Sequence, residues 1–570
     1  MRTERPRLGR ETAASSSRLL GRELELGRLA ALVRGVHEGG GGLVVRGEAG
    51  IGKSALLAVA AARARERGLV VFQSAGVESE TRLPFAGLHA FLRPFMGALD
   101  QLPPTQRDAL AMTLGLTPRD EVADMFLIGL AALGLITEAA TEVPLLLIVE
   151  DAQWVDRSSG MVLAFVARRL ELEPVLIWFA VRAGVTSDVD EAGLPELDVL
   201  GLDDVASARL LEERGAELSL DLKRRILADA DGNPLALREL PTAVRNLGFD
   251  ARSADSNPLP LTARLERAFA GRFDELEADA RTLLLVAALE DGDSAELVQA
   301  AELLQGSAID PAGWKTIAAA GLGAADAHGF RFRHPLMRSA IRQAARVEEQ
   351  RAAHAALAAV LAADPDRAVW HRAAATAGPD ETVASALAEA AERARLRGAR
   401  DVSLVALERS AGLTPDRGVR ALRLWQAAML GWELGRSQES ELLFREAQQL
   451  GLPPFEHAEA SFHLEAFAGT LPSGVGTVRA FTRLADELLA AGDGPKALQA
   501  LETISVRAFW GNLDSETQSS ASAVARRIDV PHDIRAGSVS SHTSIRSGTE
   551  PRSSRSSVAY LPRESATPTR

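Results

Sequence analysis

The segment Gly47-Glu48-Ala49-Gly50-Ile51-Gly52-Lys53-Ser54 joins three glycines, one lysine and one hydroxyl at fixed spacing. That spacing, G-x-x-x-x-G-K-[ST], has the chemistry of a phosphate cradle. Backbone N–H groups turned inward wrap an anion, and glycine supplies the conformations and the clearance this needs. Lys53 brings a point charge to the outer phosphate oxygens, and Ser54 offers a hydroxyl to Mg²⁺, which prefers oxygen ligands. A Leu-Val-Val run leads in and the Ala/Leu-rich SALLAVAAARARE leads out, so the order is strand, loop, helix. The positive end of that helix faces the same anion. Ordinary residue frequencies give such a match by chance at odds on the order of 1% in a chain of this size.

A phosphate cradle that works on its ligand needs acids nearby. LLLIVEDAQWVD ends an apolar run on Glu150 and Asp151, at the sheet edge where open α/β folds bind ligands. One carboxylate is expected to hold Mg²⁺ and its neighbour to polarise an attacking water. Asp156 and Ser158 suit the start of the next helix instead. The run LIWFAVR ends on Arg182, a cation that either senses the terminal phosphate or emerges into solvent.

These residues demand a scaffold. Five nearly unbroken apolar runs, at 42–47, 68–74, 143–151, 174–182 and 196–202, alternate with helical patterns. Unbroken rather than alternating runs read as strands buried on both faces. The expected fold is therefore an α/β P-loop NTPase, a parallel five-stranded sheet between helices over residues 18–200. Short amphipathic helices follow over 201–250, then a polar Pro-rich linker, then a compact helical unit over 262–345. Residues 350–510 read as almost pure helix, with glycines at 398, 435 and 469 at the spacing of paired-helix repeats. Residues 1–17 and the Ser/Arg-rich stretch 515–570 are expected to be disordered.

Composition excludes several chemistries. The 570-residue chain carries a formal net charge of −13 and no cysteine. Thiol catalysis, disulfides and Cys-ligated zinc are ruled out, and a cytoplasmic setting fits. An extended phosphate-tracking groove is not expected of so acidic a chain. The greasiest run, Met125–Ile136, is too short for a membrane span.

In one order, LLGRELELGRLAALV, GEAGIGKSALL, ESETRLPFAGLHAFLRP, LLLIVEDAQWVD, GNPLALREL and FRFRHPLMRSAI resemble the large ATP-binding LuxR-type transcriptional regulators. These are STAND-class ATPases related to the maltose-regulon activator, and the likeness spans residues 18–510. The resemblance implies an AAA-like core, a helical lid, a winged-helix arm and a TPR-like sensor. It implies ATP, ADP and Mg²⁺ as ligands, an inducer at the repeats, and self-association in the ATP state. Gly47 to Ser54 would be the phosphate loop, Glu150 and Asp151 the magnesium and hydrolysis pair, and Arg182 the sensor arginine. Pro234 would pack the lid near adenine. His334 would contact the β-phosphate of ADP, or else merely cap the helix at Pro335. No helix-turn-helix pattern lies between Phe509 and Arg570, so sequence-specific DNA binding is not expected of this chain. The alternatives are a small-molecule P-loop kinase, and a scaffold with a vestigial ATPase left by truncation or a frame slip.

Overall fold

The computed structural model describes residues 19–117, 123–215, 217–247, 261–326, 329–467, 475–510 and 514–528. The chain divides into two compact units, Met1–Leu443 and Phe444–Arg570. The leader expected over 1–17 lies outside the described residues.

The first unit opens with a sheet of five strands: β1 (Gly41–Gly47), β2 (Val70–Ala75), β3 (Leu145–Glu150), β4 (Val175–Arg182) and β5 (Glu196–Asp198). Their order is β2-β3-β4-β1-β5, and every pairing is parallel. Six helices flank them: α1 (Glu23–Gly35), α2 (Lys53–Glu66), α3 (Ala86–Leu92), α4 (Pro104–Thr113), α5 (Met125–Ala140) and α6 (Arg157–Ala167). Alternate strand residues feed two cores. Leu43, Val45, Leu146, Ile148, Leu176 and Trp178 pack with α1 and α2. Val44, Leu145, Leu147, Ile177 and Phe179 pack with α3, α5 and α6. Each such burial contributes roughly 1.5–3 kcal/mol, which explains why β3 and β4 carry no polar face. No helix among the described residues is long and apolar enough to cross a membrane. The greasy run at 125–136 lies within α5, largely buried.

Asp156 organises one flank of the core. Its buried carboxylate accepts from the N–H groups of Phe85, Gly87 and Ser159 and from the Ser159 hydroxyl. It thereby caps α6 and anchors the start of α3 together. Ser158, read as a cap in the sequence, donates instead to Asp401 at 2.7 Å.

Beyond the sheet lie α7 (Asp204–Gly215), α8 (Leu220–Ala230) and α9 (Pro234–Leu247), then α10 (Leu261–Asp274), α11 (Ala278–Leu289), α12 (Ser294–Gln305) and α13 (Gly313–Ala319). An antiparallel hairpin of β6 (Gly323–Asp326) and β7 (Gly329–Phe332) leads to α14 (Pro335–Ala344). One continuous apolar core, from Leu202 to Leu357, joins all of these to α15 (Val347–Val360). The hairpin corrects the expectation of a helical unit: Gly329 opens β7 at φ +128°, and alternating Phe330 and Phe332 suit a strand. Then come α16 (Pro365–Ala375), α17 (Glu381–Leu396), α18 (Arg400–Leu413), α19 (Arg417–Glu433) and α20 (Ser437–Leu450). Gly398 and Gly435 form turns within two successive helix pairs; Gly469 lies outside the described residues.

The second unit holds α21 (Pro454–Phe467), α22 (Val475–Ala490), α23 (Gly494–Trp510) and α24 (Ser515–Arg527). The stretch expected to be disordered from Ser515 therefore begins as a helix. Asp514 caps it through the Thr517 N–H, and Thr517, Ala521 and Val524 bury one narrow stripe. Small residues carry that stripe, so hydropathy alone does not reveal it. Residues 529–570 lie outside the described residues.

Within the first unit, the turn Glu78–Arg82 after β2 meets elements from the rest of the unit. Glu78 pairs with Arg342 of α14 at 2.6 Å. Ser79 donates to Asp291 at 3.2 Å, and Asp291 also pairs with Arg338. Arg82 sits over the Trp370 ring of α16. Glu80 lies among these groups. Burial pushes its carboxyl up to about 7, the charges of Asp291 and Glu290 add to that, and Arg367 opposes. A folded-state value above the unfolded one means that ionising Glu80 costs stability, with the cost growing from about pH 4.5 and complete above pH 7. Glu80→Gln should therefore raise Tm at pH 8 and leave it unchanged near pH 4.5; thermal scans at both values check this, and an equal shift at both contradicts it.

Candidate functional site

The phosphate loop joins the end of β1 to the start of α2. Gly50 has φ of +79° and Gly52 of +102°, values that strain any residue with a Cβ. A Cβ on Gly50 would also lie 2.7 Å from the Leu235 side chain. Lys53 and Ser54 open α2, whose first turn leaves N–H groups pointing toward the loop. Lys53 Nζ donates to the carbonyls of Gly47 and Glu48, at 2.8 and 3.0 Å. Burial lowers its pKa to about 8; the Arg182 charge adds to this, while Asp151 and Glu150 oppose it. An anion bound here restores the full ammonium charge, so the site favours a negative ligand.

Two residues that the sequence reading passed over hold the loop from outside. Asn233 donates to the Ala49 carbonyl at 2.9 Å, while its Oδ1 caps α9 through the N–H groups of Leu235 and Ala236. The Leu235 N–H reaches the Gly50 carbonyl at 3.2 Å. Arg22, almost fully buried, donates to the Ile51 carbonyl at 2.9 Å and pairs with Glu25 at 2.8 Å. The signals were present in GNPLAL and LLGRELE, where a polar residue sits beside Gly or Pro at an element boundary. Pro234 is the first residue of α9, with its ring facing Gly52; the proline thus starts a helix rather than merely following one.

Glu150 ends β3, with the Ser54 hydroxyl close enough to favour its charged form. Burial raises the Glu150 carboxyl, an effect that Ser54, Arg331 and Lys53 oppose and Asp151 reinforces. Ser54 and Glu150 thus present two oxygens at one point, a donor set that fits a magnesium ion sharing its remaining positions with water and phosphate. Such an ion, when bound, would neutralise phosphate charge; the protein's part is to hold these two oxygens together. Among the described residues no group of three or more His or acidic side chains could hold a metal alone.

Asp151 follows in the left-handed region, φ +46° and ψ +44°, which turns the chain sharply off the sheet. Its Oδ1 accepts from Gln153 Nε2 at 3.1 Å, and Gln153 Oε1 accepts the Arg182 N–H at 3.1 Å. Arg182 ends β4 directly opposite Gly47. The phosphate-loop residues Gly47 to Ser54, Glu150, Asp151 and Arg182 thus lie together at the C-terminal edge of the sheet.

His334 joins them from the hairpin and α14. Its Nδ1 accepts the Leu336 N–H at 3.1 Å, capping α14. Burial lowers its pKa to about 4, and the charges of Lys53 and Arg182 add to this. The ring is neutral at pH 7, and because Nδ1 accepts, Nε2 carries the proton. The two readings of His334 are thus compatible: it caps a helix with one nitrogen and has a neutral donor on the other.

Residues 18–178 match the AAA ATPase domain family. No curated protein matches the chain. Among solved structures, the chain is similar to a Signal Transduction ATPase with Numerous Domains (STAND) protein with a tetratricopeptide repeat sensor from Pyrococcus horikoshii. The two are 13% identical, with 87% of this chain and 76% of that one covered and a TM-score of 0.41. It is also similar to AMPPCP-bound DnaA from Aquifex aeolicus, 16% identical, covering 57% of this chain and 87% of that one with a TM-score of 0.26. The sheet and its loop are those of a P-loop AAA domain, followed by a mostly helical C-terminal region.

If the loop grips phosphate as this geometry implies, Lys53→Ala should abolish ADP and ATP binding at millimolar ligand. The far-ultraviolet circular dichroism should not change, since Lys53 contacts only loop carbonyls. Calorimetry on the purified variant checks the first point, and retained affinity contradicts the assignment.

Proposed function

We propose that this chain is a STAND-type signalling switch of the LuxR-type regulator lineage: it binds ATP and ADP with Mg²⁺, hydrolyses ATP slowly, and uses nucleotide exchange to control its self-association in transcription regulation, without a DNA-reading module of its own between Phe509 and Arg570. One observation carries the reading. His334, fixed at the start of α14, is near enough to Lys53 and Arg182 for their charges to lower its pKa, so an element remote in sequence approaches the phosphate site. A diphosphate held between them would tie α14 and the hairpin to the loop.

A nucleotide shifts such an arrangement only by binding one form better than the other. ADP would favour the form described here, with Nε2 of His334 donating to a phosphate oxygen. A third phosphate would need room beside Arg182 and the acid pair, and so would favour a form with His334 withdrawn. Exchange would then release the helical region for self-association, with an inducer acting at the repeats. The buried Ser158–Asp401 hydrogen bond supports a coupled arrangement, because α17 and α18 share a core with α5 and α6. Asp151 would orient the attacking water and Arg182 would sense the terminal phosphate. The chain would act in the cytoplasm.

Two outcomes follow. The double variant Glu150→Gln, Asp151→Asn should keep nucleotide binding and lose phosphate release; undiminished turnover would sink the assignment of the pair. His334→Ala should raise the ADP dissociation rate by about fivefold, the worth of one neutral hydrogen bond. Stopped-flow release of a fluorescent ADP measures it, and an unchanged rate leaves His334 only its cap.

A further inference from the structure

We propose that Gln153 is the positioning residue of this site, tying the acid assigned to hydrolysis to the sensor strand so that Asp151 and Arg182 move as one. The proposal rests on the hydrolytic reading above, which it deepens by naming what holds the two groups in register.

The geometry follows from where the strands part. The β3–β4 ladder runs from Leu145↔Val175 to Val149↔Phe179 and stops there. On the other side of β4, pairing with β1 continues to Gly47↔Arg182. The Ala183 N–H is taken by the Gly47 carbonyl at 2.9 Å. Successive N–H groups along a strand point to opposite sides, so the Arg182 N–H faces β3. There the β3 backbone has already left, because Asp151 turns it away through positive φ. A short turn, Ala152–Trp154, closed by the Trp154 N–H on the Asp151 carbonyl at 2.8 Å, brings residue 153 back over the gap. The Gln153 amide then supplies the missing carbonyl and extends the ladder by one side-chain rung.

The amide can be oriented only one way. A backbone N–H can only donate, so Oε1 must face Arg182 and the NH₂ must face Asp151. One amide therefore fixes the Asp151 carboxylate plane by Oδ1 and leaves its second oxygen for a water. It also fixes the strand end from which the Arg182 side chain departs. No charged group or shorter side chain could supply both an acceptor and a donor across this span. Glutamate has the right shape but, when ionised, sets a second carboxylate against Asp151; when protonated, it offers one O–H and one C=O and mimics the amide.

The test uses the full-length protein with Mg²⁺. Gln153→Ala should lower kcat by roughly 10–100-fold, as removal of outer-shell partners does, with ADP affinity kept within about twofold. Gln153→Glu should be as impaired at pH 8 and recover as pH falls toward 5.5, while Gln153→Ala gains no such recovery relative to the parent. A merely structural role would not produce that acid rescue. A kcat for Gln153→Ala within about twofold of the parent, or a Gln153→Glu pH profile parallel to the parent's, overturns the proposal. The ratio of ATP to ADP affinity gives a readout that needs no hydrolysis. Gln153→Ala should reduce it several-fold, as should Arg182→Ala, and an unchanged ratio overturns the proposal. A parent that binds both nucleotides without turnover would defeat the hydrolytic reading alone, and the ratio would still decide the role of Gln153.

Discussion

A loop that offers its N–H groups to an anion cannot use them to hold itself. This constraint governs the region around residue 50. The phosphate loop has two glycines at positive φ and its lysine folded back on its own carbonyls. Its remaining carbonyls are gripped from outside, by Asn233, by the Leu235 N–H and by Arg22. The loop is thus preorganised by its outward-facing oxygens, leaving the inward-facing donors to the ligand. Because two of the three clasps come from α9 and the turn before it, movement of that helix changes the loop directly.

The same logic extends along the sheet edge. Strand ends are where backbone groups run out of partners, so they are where side chains and ligands must supply them. Glu150 meets Ser54, Gln153 spans to Arg182, and His334 caps α14 beside Lys53. Lys53 and His334 are both held below their ordinary pKa by burial and by neighbouring cations. A site that suppresses its own positive charge in this way is electrostatically incomplete, and an anion completes it.

Much of this was legible in the chain. The five apolar runs are the five strands; β3 and β4, buried on both faces, have no polar period to confuse the reading, whereas the edge strands β2 and β5 are partly exposed. The glycine-lysine-serine spacing fixed the loop, since few other backbones need that combination. Asn233, Arg22 and Gln153 escaped notice for a shared reason. Each acts through hydrogen bonds to backbone atoms at 29 or more positions' separation, and such bonds leave no periodicity. The helix at Ser515–Arg527 was missed because Thr, Ala and Val make a weak stripe among serines and arginines.

By itself, the sequence determined the α/β core, the phosphate loop, the acid pair at a strand end and the helical remainder, because hydrophobic period and glycine spacing are local. Tertiary structure alone decided which distant groups reach that loop. It selected the turn at Asp151 that sends Gln153 to β4, the Asn233 clasp from α9, and the His334 approach. The physical reason is that apolar burial fixes which faces pack, whereas the partner of a strand-end N–H or a loop carbonyl is chosen only once the chain has folded around it.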